Sequence, residues 1–380
     1  SMRVAIAGAG PAGLYAAILI RRARPDIDIS VFEQNPKDAT FGFGVVFSDQ
    51  ALGFLREDDS ETAALIEPHM QRWTDIAVVH KNTRIAIDGV GFSAIGRLDL
   101  LRLLQQRAAQ LGVIPVYNSR IETTDALGPA DLIIGADGLN SVVRTATPEE
   151  FGERGEPLSN RFIWYGADCE FDALTQSFVE TRLGRFNAHH YRYQAGRSTF
   201  IIETTDAIWH QGGFADLDAA ETRSVCEDLF GDVLGSARLV DNNSVWRQFP
   251  NLSCARYYSD NKVLVGDALH TAHFSIGSGT RLALEDVIAL VDALKASGWD
   301  IASALPAFQQ ARQPAVQKIV DAATRSARWY EAFDQHMMLE PWPFALAYIR
   351  RAGRLDAEKL RRFAPGFTEQ LEAHGVSLSI

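Results

Sequence analysis

Residues 3–13 read Arg3-Val-Ala-Ile-Ala-Gly-Ala-Gly-Pro-Ala-Gly13. The apolar, β-branched run Arg3–Ala7 reads as a buried parallel strand. Gly8, Gly10 and Gly13 follow it at once in G-x-G-x-x-G spacing, with Pro11 and Ala12 between the last two. The next residues, Leu14 to Arg24, favour a helix that Pro25 ends, and Ile27 to Phe32 is a second strand. Together they form a βαβ unit that closes at Glu33, followed by Gln34. Glu33 stands 20 residues past Gly13, where a ribose-binding carboxylate is expected. Gly8 permits the tight turn, Gly10 lets the backbone approach a pyrophosphate, and Gly13 lets the helix pack closely on the strand. The helix N–H groups and the positive end of its dipole then face the phosphates. Strand, glycines, helix and acid predict a dinucleotide site, without deciding which dinucleotide.

The 380 residues carry 37 Lys and Arg against 48 Asp and Glu, a net charge of −11. That field repels phosphate backbones, so no nucleic-acid partner is expected. The three cysteines Cys169, Cys226 and Cys254 lie far apart in sequence and form neither a disulfide framework nor a metal knuckle. No metal is expected, and a reducing, cytoplasmic compartment suits this usage. The apolar stretch Val4 to Ile20 contains Gly8, Gly10, Pro11 and Gly13, which argues against a spanning helix, so no membrane partner is expected.

Two further stretches repeat the pattern of a strand delivering polar groups at its end. Asp131-Leu-Ile-Ile-Gly-Ala-Asp137-Gly138 is one, with a short helix near Ser141. In the other, the strand Val263 to Val265 brings up Gly266 and Asp267, then Gly277, Ser278, Gly279 and a helix from Thr280 to Leu294. Ligands of open α/β sheets lie at the carboxyl ends of strands, so three strands aim polar loops at one cofactor.

This order of signatures resembles the class A flavoprotein aromatic hydroxylases, the p-hydroxybenzoate hydroxylase type. The resemblance implies an α/β FAD-binding Rossmann-like domain, with an inserted antiparallel-sheet substrate domain and C-terminal helices. It implies bound FAD, held by Gly8, Gly10, Pro11, Ala12, Gly13, Glu33 and Gln34 at the ADP half. Phe43, Arg97, Asp137, Gly138, Gly266, Asp267, Gly277, Ser278, Gly279 and Thr280 would complete the site. Phe41-Gly-Phe-Gly-Val-Val-Phe-Ser48 and Gly266 to Gly279 resemble a subgroup that includes salicyloyl-CoA 5-hydroxylase and the monooxygenase half of 2-aminobenzoyl-CoA monooxygenase/reductase. The violacein-pathway hydroxylase is a more distant likeness. Phe274 stands where the wider family has proline, and Arg281 where it has asparagine.

The resemblance further implies hydroxylation of an activated aromatic ring, such as a salicyloyl or 2-aminobenzoyl CoA thioester at its 5-position. NADH or NADPH and O2 would be co-substrates, acting through a flavin C4a-hydroperoxide. His273, Phe274 and Ser275 are the catalytic candidates. The expected segments are 1–71, 94–157 and 256–300 for the FAD domain, 72–93 and 158–255 for the substrate domain, and 301–380 for terminal helices, in a monomer or homodimer. The helical reading after Leu294 leaves no room for an appended reductase barrel within these residues. Trp164-Tyr165-Gly166 does not fit a halogenase Trp-x-Trp-x-Ile-Pro segment. A free aromatic or indole substrate, a flavin reductase, and a non-catalytic nucleotide-binding partner are the rival readings. His189 and His190 are adjacent on a strand, so at most one can face a pocket. Arg350, Arg351, Arg354, Lys359, Arg361 and Arg362 form a basic run, read as a solvated helix face with a CoA-phosphate site as the sharper alternative.

Overall fold

The computed structural model describes residues 1–277 and 279–379, except for the side chains of Asp49, Gln50, Ala51 and Phe54. The strand Arg3–Ala7 is almost wholly buried and lies between parallel neighbours, as its unbroken apolar run requires. The sheet order is Tyr258–Ser259, Lys262–Leu264, Leu132–Gly135, Arg3–Ala7, Asp28–Phe32. Phe32, Ala7, Gly135 and Leu264 are register partners in one row, so four strands end side by side.

The first helix spans Pro11–Ala23, starting one turn earlier than its apolar residues suggest. Proline suits the first helical position because its missing N–H would have no intrahelical partner there. The helix buries Leu14, Tyr15, Ile18 and Ile20 and packs on the helix Gly279–Ala296. These helices and the parallel sheet share one apolar core.

A second, larger sheet is mainly antiparallel. Its order is Leu239–Val240, Arg161–Ala167, Arg197–Thr204, Gly184–Gln194, Leu174–Thr181, Ile76–His80, Thr83–Ile87. One face packs on the helices Asp206–Gln211, Ala219–Leu229 and Gly231–Leu234 around Phe186, Phe200 and Phe230. The other packs on C-terminal helices around Phe178, Trp329, Phe333 and Phe344. A three-stranded sheet of Gly44–Ser48, Phe92–Gly96 and Gln71–Trp73 lies between the two larger ones.

The helix Ile301–Glu331 runs through Pro306 and Pro314 without ending. Its buried Leu305, Phe308, Arg312, Val316 and Tyr330 are held by tertiary packing, which outweighs local propensity. Pro341 and Pro365 instead open their own helices, Pro341–Ile349 and Pro365–Ala373. Among the described residues no helix is long and apolar enough to cross a membrane.

Candidate functional site

The row of strand ends gathers the sequence signatures along one edge of the parallel sheet. Directly after Ala7, Gly8 lies so close to the Asp137 turn that a built Cβ would stand 2.2 Å from the Ala136 carbonyl oxygen. After Leu264, a Cβ on Gly266 would stand 3.5 Å from Ala12 Cβ and 3.3 Å from Ala283 Cβ. The opening turns of the helices Pro11–Ala23 and Gly279–Ala296 therefore converge on the Gly266-Asp267 turn. Two positive helix ends at one place favour a negatively charged ligand group.

Glu33 closes the other side of the row. Its carboxylate accepts the Ala9 N–H at 3.0 Å and the Asn35 N–H at 2.9 Å. An ionised carboxylate has about four acceptor sites, so it retains capacity for two ribose hydroxyls. Gln34 is exposed beside it. Asp137 Oδ2 accepts the Val142 N–H at 2.8 Å, while its buried Oδ1 has no partner. Burial raises the Asp137 pKa, and the Val142 N–H opposes the shift.

Asp267 is reached by solvent, yet desolvation by the surrounding protein raises its pKa, opposed by His270 and Arg97. The Arg97 guanidinium lies 5.1 Å from the Phe41 ring centroid and 5.0 Å from that of Trp164. Burial lowers its pKa, and the charge of Asp267 partly restores it.

The turn that carries Asp267 is anchored from below. Asp286 Oδ2 accepts the Gly266 N–H at 2.9 Å and lies 2.7 Å from His270 Nε2. Its Oδ1 accepts from Arg312 Nε at 2.7 Å. His270 is thus a supporting residue.

The Phe41–Gly44 segment interlocks with the large sheet. A Cβ on Gly42 would meet the Trp164 ring at 2.9 Å, and one on Gly166 would meet the Phe43 ring at 2.7 Å. Each ring fills the space that the opposing glycine leaves. The Gly44 N–H donates to Thr199 Oγ1 at 2.9 Å, and the Gly44 carbonyl accepts from Tyr191 Oη at 2.8 Å. The Phe43 ring is therefore packed toward the sheet, while its carbonyl accepts the Arg97 N–H at 2.8 Å.

These groups suit a dinucleotide. A Cβ on Gly10 would meet nothing within 4 Å, which leaves room for a close backbone approach at the helix start. The free acceptor capacity of Glu33 and the orphan Oδ1 of Asp137 add unspent polar atoms around the same row.

The FAD binding domain family matches residues 123–323. A salicyloyl-CoA 5-hydroxylase of Streptomyces sp is 38% identical over 361 residues, covering 92% of this chain and 70% of that protein. The chain belongs to the FAD-dependent aromatic monooxygenases. A 3-hydroxy-4-methyl-anthranilyl-[aryl-carrier protein] 5-monooxygenase of Streptosporangium sibiricum is 34% identical, covering 87% of this chain and 89% of that one. The fold is shared with 2-methyl-3-hydroxypyridine-5-carboxylic acid oxygenase at a TM-score of 0.70 and 19% identity, covering 93% of this chain and 96% of that one.

In this monooxygenase Gly8, Gly10, Pro11, Ala12, Gly13, Glu33, Asp137, Gly138, Gly266 and Asp267 all follow the aligned strand ends. Gly279 and Thr280 open the helix Gly279–Ala296, and Gly277 precedes it. Ser278 lies outside the described residues. Of the catalytic candidates, Phe274 is half-buried, 5.0 Å from the Phe162 ring and 6.5 Å from that of His189. His273 and Ser275 are buried and hydrogen-bonded to each other. His189 faces Phe274 and Tyr191, whereas His190 stacks with Phe200 in the opposite core. Burial lowers both histidines to about 3, so both rings are neutral.

The basic run is not a uniform solvated face. Arg350 donates to the carbonyls of Leu355 and Leu378, and Arg351 to those of Tyr348 and Ser275. Both guanidiniums spend part of their donors on backbone carbonyls of the chain itself. Arg281 pairs with Glu285 one helical turn away. Sequence reading missed Trp164 and Phe41 as the partners of Arg97. The aromatic–glycine alternation in both segments was the available signal, but its meaning depends on contacts more than 120 residues apart.

Arg97→Met should leave the chain folded and lower FAD affinity about 10- to 100-fold, the range of one hydrogen bond to a charged group. Flavin retained after gel filtration measures this. Full retention would remove Arg97 from the cofactor site.

Proposed function

We propose that this monooxygenase hydroxylates a thioester-linked aromatic ring bearing an ortho hydroxyl or amino group, at the 5-position, para to that group. The observation that carries this reading is the 38% identity, across 92% of the chain, to a protein named as a salicyloyl-CoA 5-hydroxylase. The anthranilyl-carrier 5-monooxygenase, also a thioester-type substrate and also acting at position 5, points the same way.

The proposed balance is Ar–H + O2 + NAD(P)H + H⁺ giving Ar–OH + H2O + NAD(P)⁺. The chemistry that FAD supplies when bound is hydride acceptance from the nicotinamide and activation of O2 toward an electron-rich ring. The helix starts at Pro11 and Gly279, with Glu33 and Arg97, would hold that cofactor. The ring would lie between the row of strand ends and the face of the large sheet that carries His189, Tyr191 and Tyr193. Tyr191 and Tyr193 are buried, and burial pushes the Tyr191 hydroxyl well above its ordinary range. They therefore stay neutral and line a dry wall. The neutral His189 adds no charge to it, and Phe274 covers the side toward Phe162 and Phe249. Holding the ring in such a wall orients it and keeps water from the reacting atoms.

The test is NAD(P)H oxidation and O2 uptake over salicylate, anthranilate and their CoA thioesters. The thioesters should accelerate oxidation at least tenfold over the free acids and yield the 5-hydroxy product. Acceleration by a free acid alone would transfer the activity to a free aromatic substrate. Turnover only without O2, using an external acceptor, would mark a flavin reductase.

A further inference from the structure

Three distant segments meet at the turn His273–Gly277. His273 Nδ1 accepts the Ser275 backbone N–H at 3.2 Å and lies 2.7 Å from Ser275 Oγ. Ser275 Oγ lies 2.6 Å from Ser326 Oγ in the helix Ile301–Glu331. Ser326 Oγ accepts from Arg351 Nε at 2.9 Å, and Arg351 Nη2 donates to the Ser275 carbonyl at 2.8 Å. On the other side His273 Nε2 faces Glu203 Oε2 at 3.9 Å. Glu203 also accepts from Asn160 at 3.2 Å and Asn187 at 3.3 Å. Glu203, His273, Ser275 and Ser326 are all at most 5% exposed.

The direction of each proton follows from the two ends. A guanidinium only donates, so Ser326 accepts from Arg351 and passes its own proton to Ser275. Ser275 then donates to His273 Nδ1. A backbone N–H also only donates, so Nδ1 is an acceptor whichever way the hydroxyls turn. The neutral ring must therefore carry its proton on Nε2, aimed at Glu203. Burial and the nearby Arg351 hold His273 neutral, at about 3. The His273 ring stacks on Phe274 at 4.2 Å and lies 5.1 Å from the Phe249 ring, while Phe274 carries the contact to Phe162 at 5.0 Å and to His189 at 6.5 Å.

We propose that Ser326 and Arg351 are positioning residues for hydroxylation: their hydrogen bonds to Ser275 fix the turn His273–Gly277, and through the His273 stack they set the place of the Phe274 ring. The inference rests on the hydroxylase reading above, because it assigns Phe274 to the wall beside the substrate ring. Arg351 holds the turn at two points, directly at the Ser275 carbonyl and through Ser326 at the Ser275 hydroxyl. The arginine is itself held, its guanidinium 4.1 Å from the Tyr348 ring. A turn loosened at either point would let the wall open and admit water, so reducing equivalents would be lost to peroxide.

The test uses Ser326→Ala and Arg351→Lys in the FAD-loaded enzyme. Ser326→Ala removes a small buried hydroxyl without adding volume, and a lysine can reach one of the two points but not both. Two readouts are taken: hydrogen exchange of the amides in 273–277, and product formed per NAD(P)H consumed. Both variants should retain wild-type FAD content and exchange those amides about tenfold faster. Coupling should fall roughly three- to tenfold with a matching rise in peroxide, in keeping with the sensitivity of such reactions to small displacements. Wild-type coupling in both variants overturns the proposal even where exchange rises, since the anchor would then be structural only. Wild-type exchange in Ser326→Ala overturns it as well. If the wild-type enzyme hydroxylates no aromatic in the panel, the functional reading fails separately, and the exchange result alone decides whether the anchor exists.

Discussion

Gly8→Ala will destabilise the chain with or without flavin, whereas Gly10→Ala will fold normally and lose the flavin. The two glycines are two residues apart in one motif and act by different physics. Gly8 has φ +98°, a conformation that residues with a Cβ rarely adopt. A Cβ there would also stand 2.2 Å from the Ala136 carbonyl oxygen, 2.6 Å from its carbon and 2.8 Å from Asp137 Cα. All three are backbone atoms of the neighbouring strand end, and the Gly8 N–H is tied to the Phe32 carbonyl at 2.7 Å on the other side. Nothing can give without parting the row of strand ends. Strain of about 1–3 kcal/mol and overpacking of about the same size add to roughly 2–6 kcal/mol.

Gly10 has φ −75° and ψ −173°, open to any residue, and its Cβ would meet nothing. The apo melting temperature of Gly10→Ala should match wild type within about a degree, while the purified protein comes out colourless. A yellow, fully loaded Gly10→Ala enzyme would show that no cofactor backbone passes over that residue.

Asp286→Ala will cost about 3–5 kcal/mol, the range for removing one partner of a buried ion pair. The carboxylate is fully buried and serves three donors, at Gly266, His270 and Arg312. Its removal leaves the guanidinium of Arg312, itself 5% exposed, facing its other contacts, the Leu282 carbonyl and Glu285, without its closest carboxylate. Asp292 lies on the same helix but is exposed, so Asp292→Ala should stay within about 0.5 kcal/mol and serves as the control.

The pH dependence has a definite sign. Burial alone would raise the Asp286 pKa, but the charges and hydrogen bonds of His270 and Arg312 outweigh it and leave it below the ordinary 3.8. Stability from a depressed carboxyl is complete above the unfolded pKa and is lost as pH falls through the folded one. Denaturant titrations should therefore show the wild-type advantage over Asp286→Ala constant at neutral pH and shrinking below about pH 4. A difference equal to that of Asp292→Ala at pH 7 would mean that the buried triad contributes nothing.

What the sequence made legible was whatever is encoded locally. The strand Arg3–Ala7, its glycines and Glu33 are consecutive, and the motif at Gly266-Asp267 reads off one strand end. Parallel strands that all finish in polar turns leave few ways to assemble except side by side. Helix starts were less legible: Pro11 looks like a breaker in the string, but at a first helical position it costs nothing. The helical reading after Leu294 stands through Pro306 and Pro314, because the packing that carries the helix past them comes from residues elsewhere. The Ser275, Ser326 and Arg351 contacts were invisible for a plainer reason. They join residues 51 and 76 positions apart, and nothing in a run of arginines tells which is solvated and which is spent on a carbonyl.

The interlock of Phe41–Gly44 with Trp164–Gly166 has a bearing on redesign. Each side carries a ring where the other carries a hydrogen atom, so the two segments behave like the halves of a zip. A loop grafted into 41–44 from a homologue would jam unless its opposing strand came with it, and a library that varies one half alone would mostly sample misfits. Chimeras that exchange both halves together are the ones expected to keep the Phe41 and Trp164 rings against Arg97.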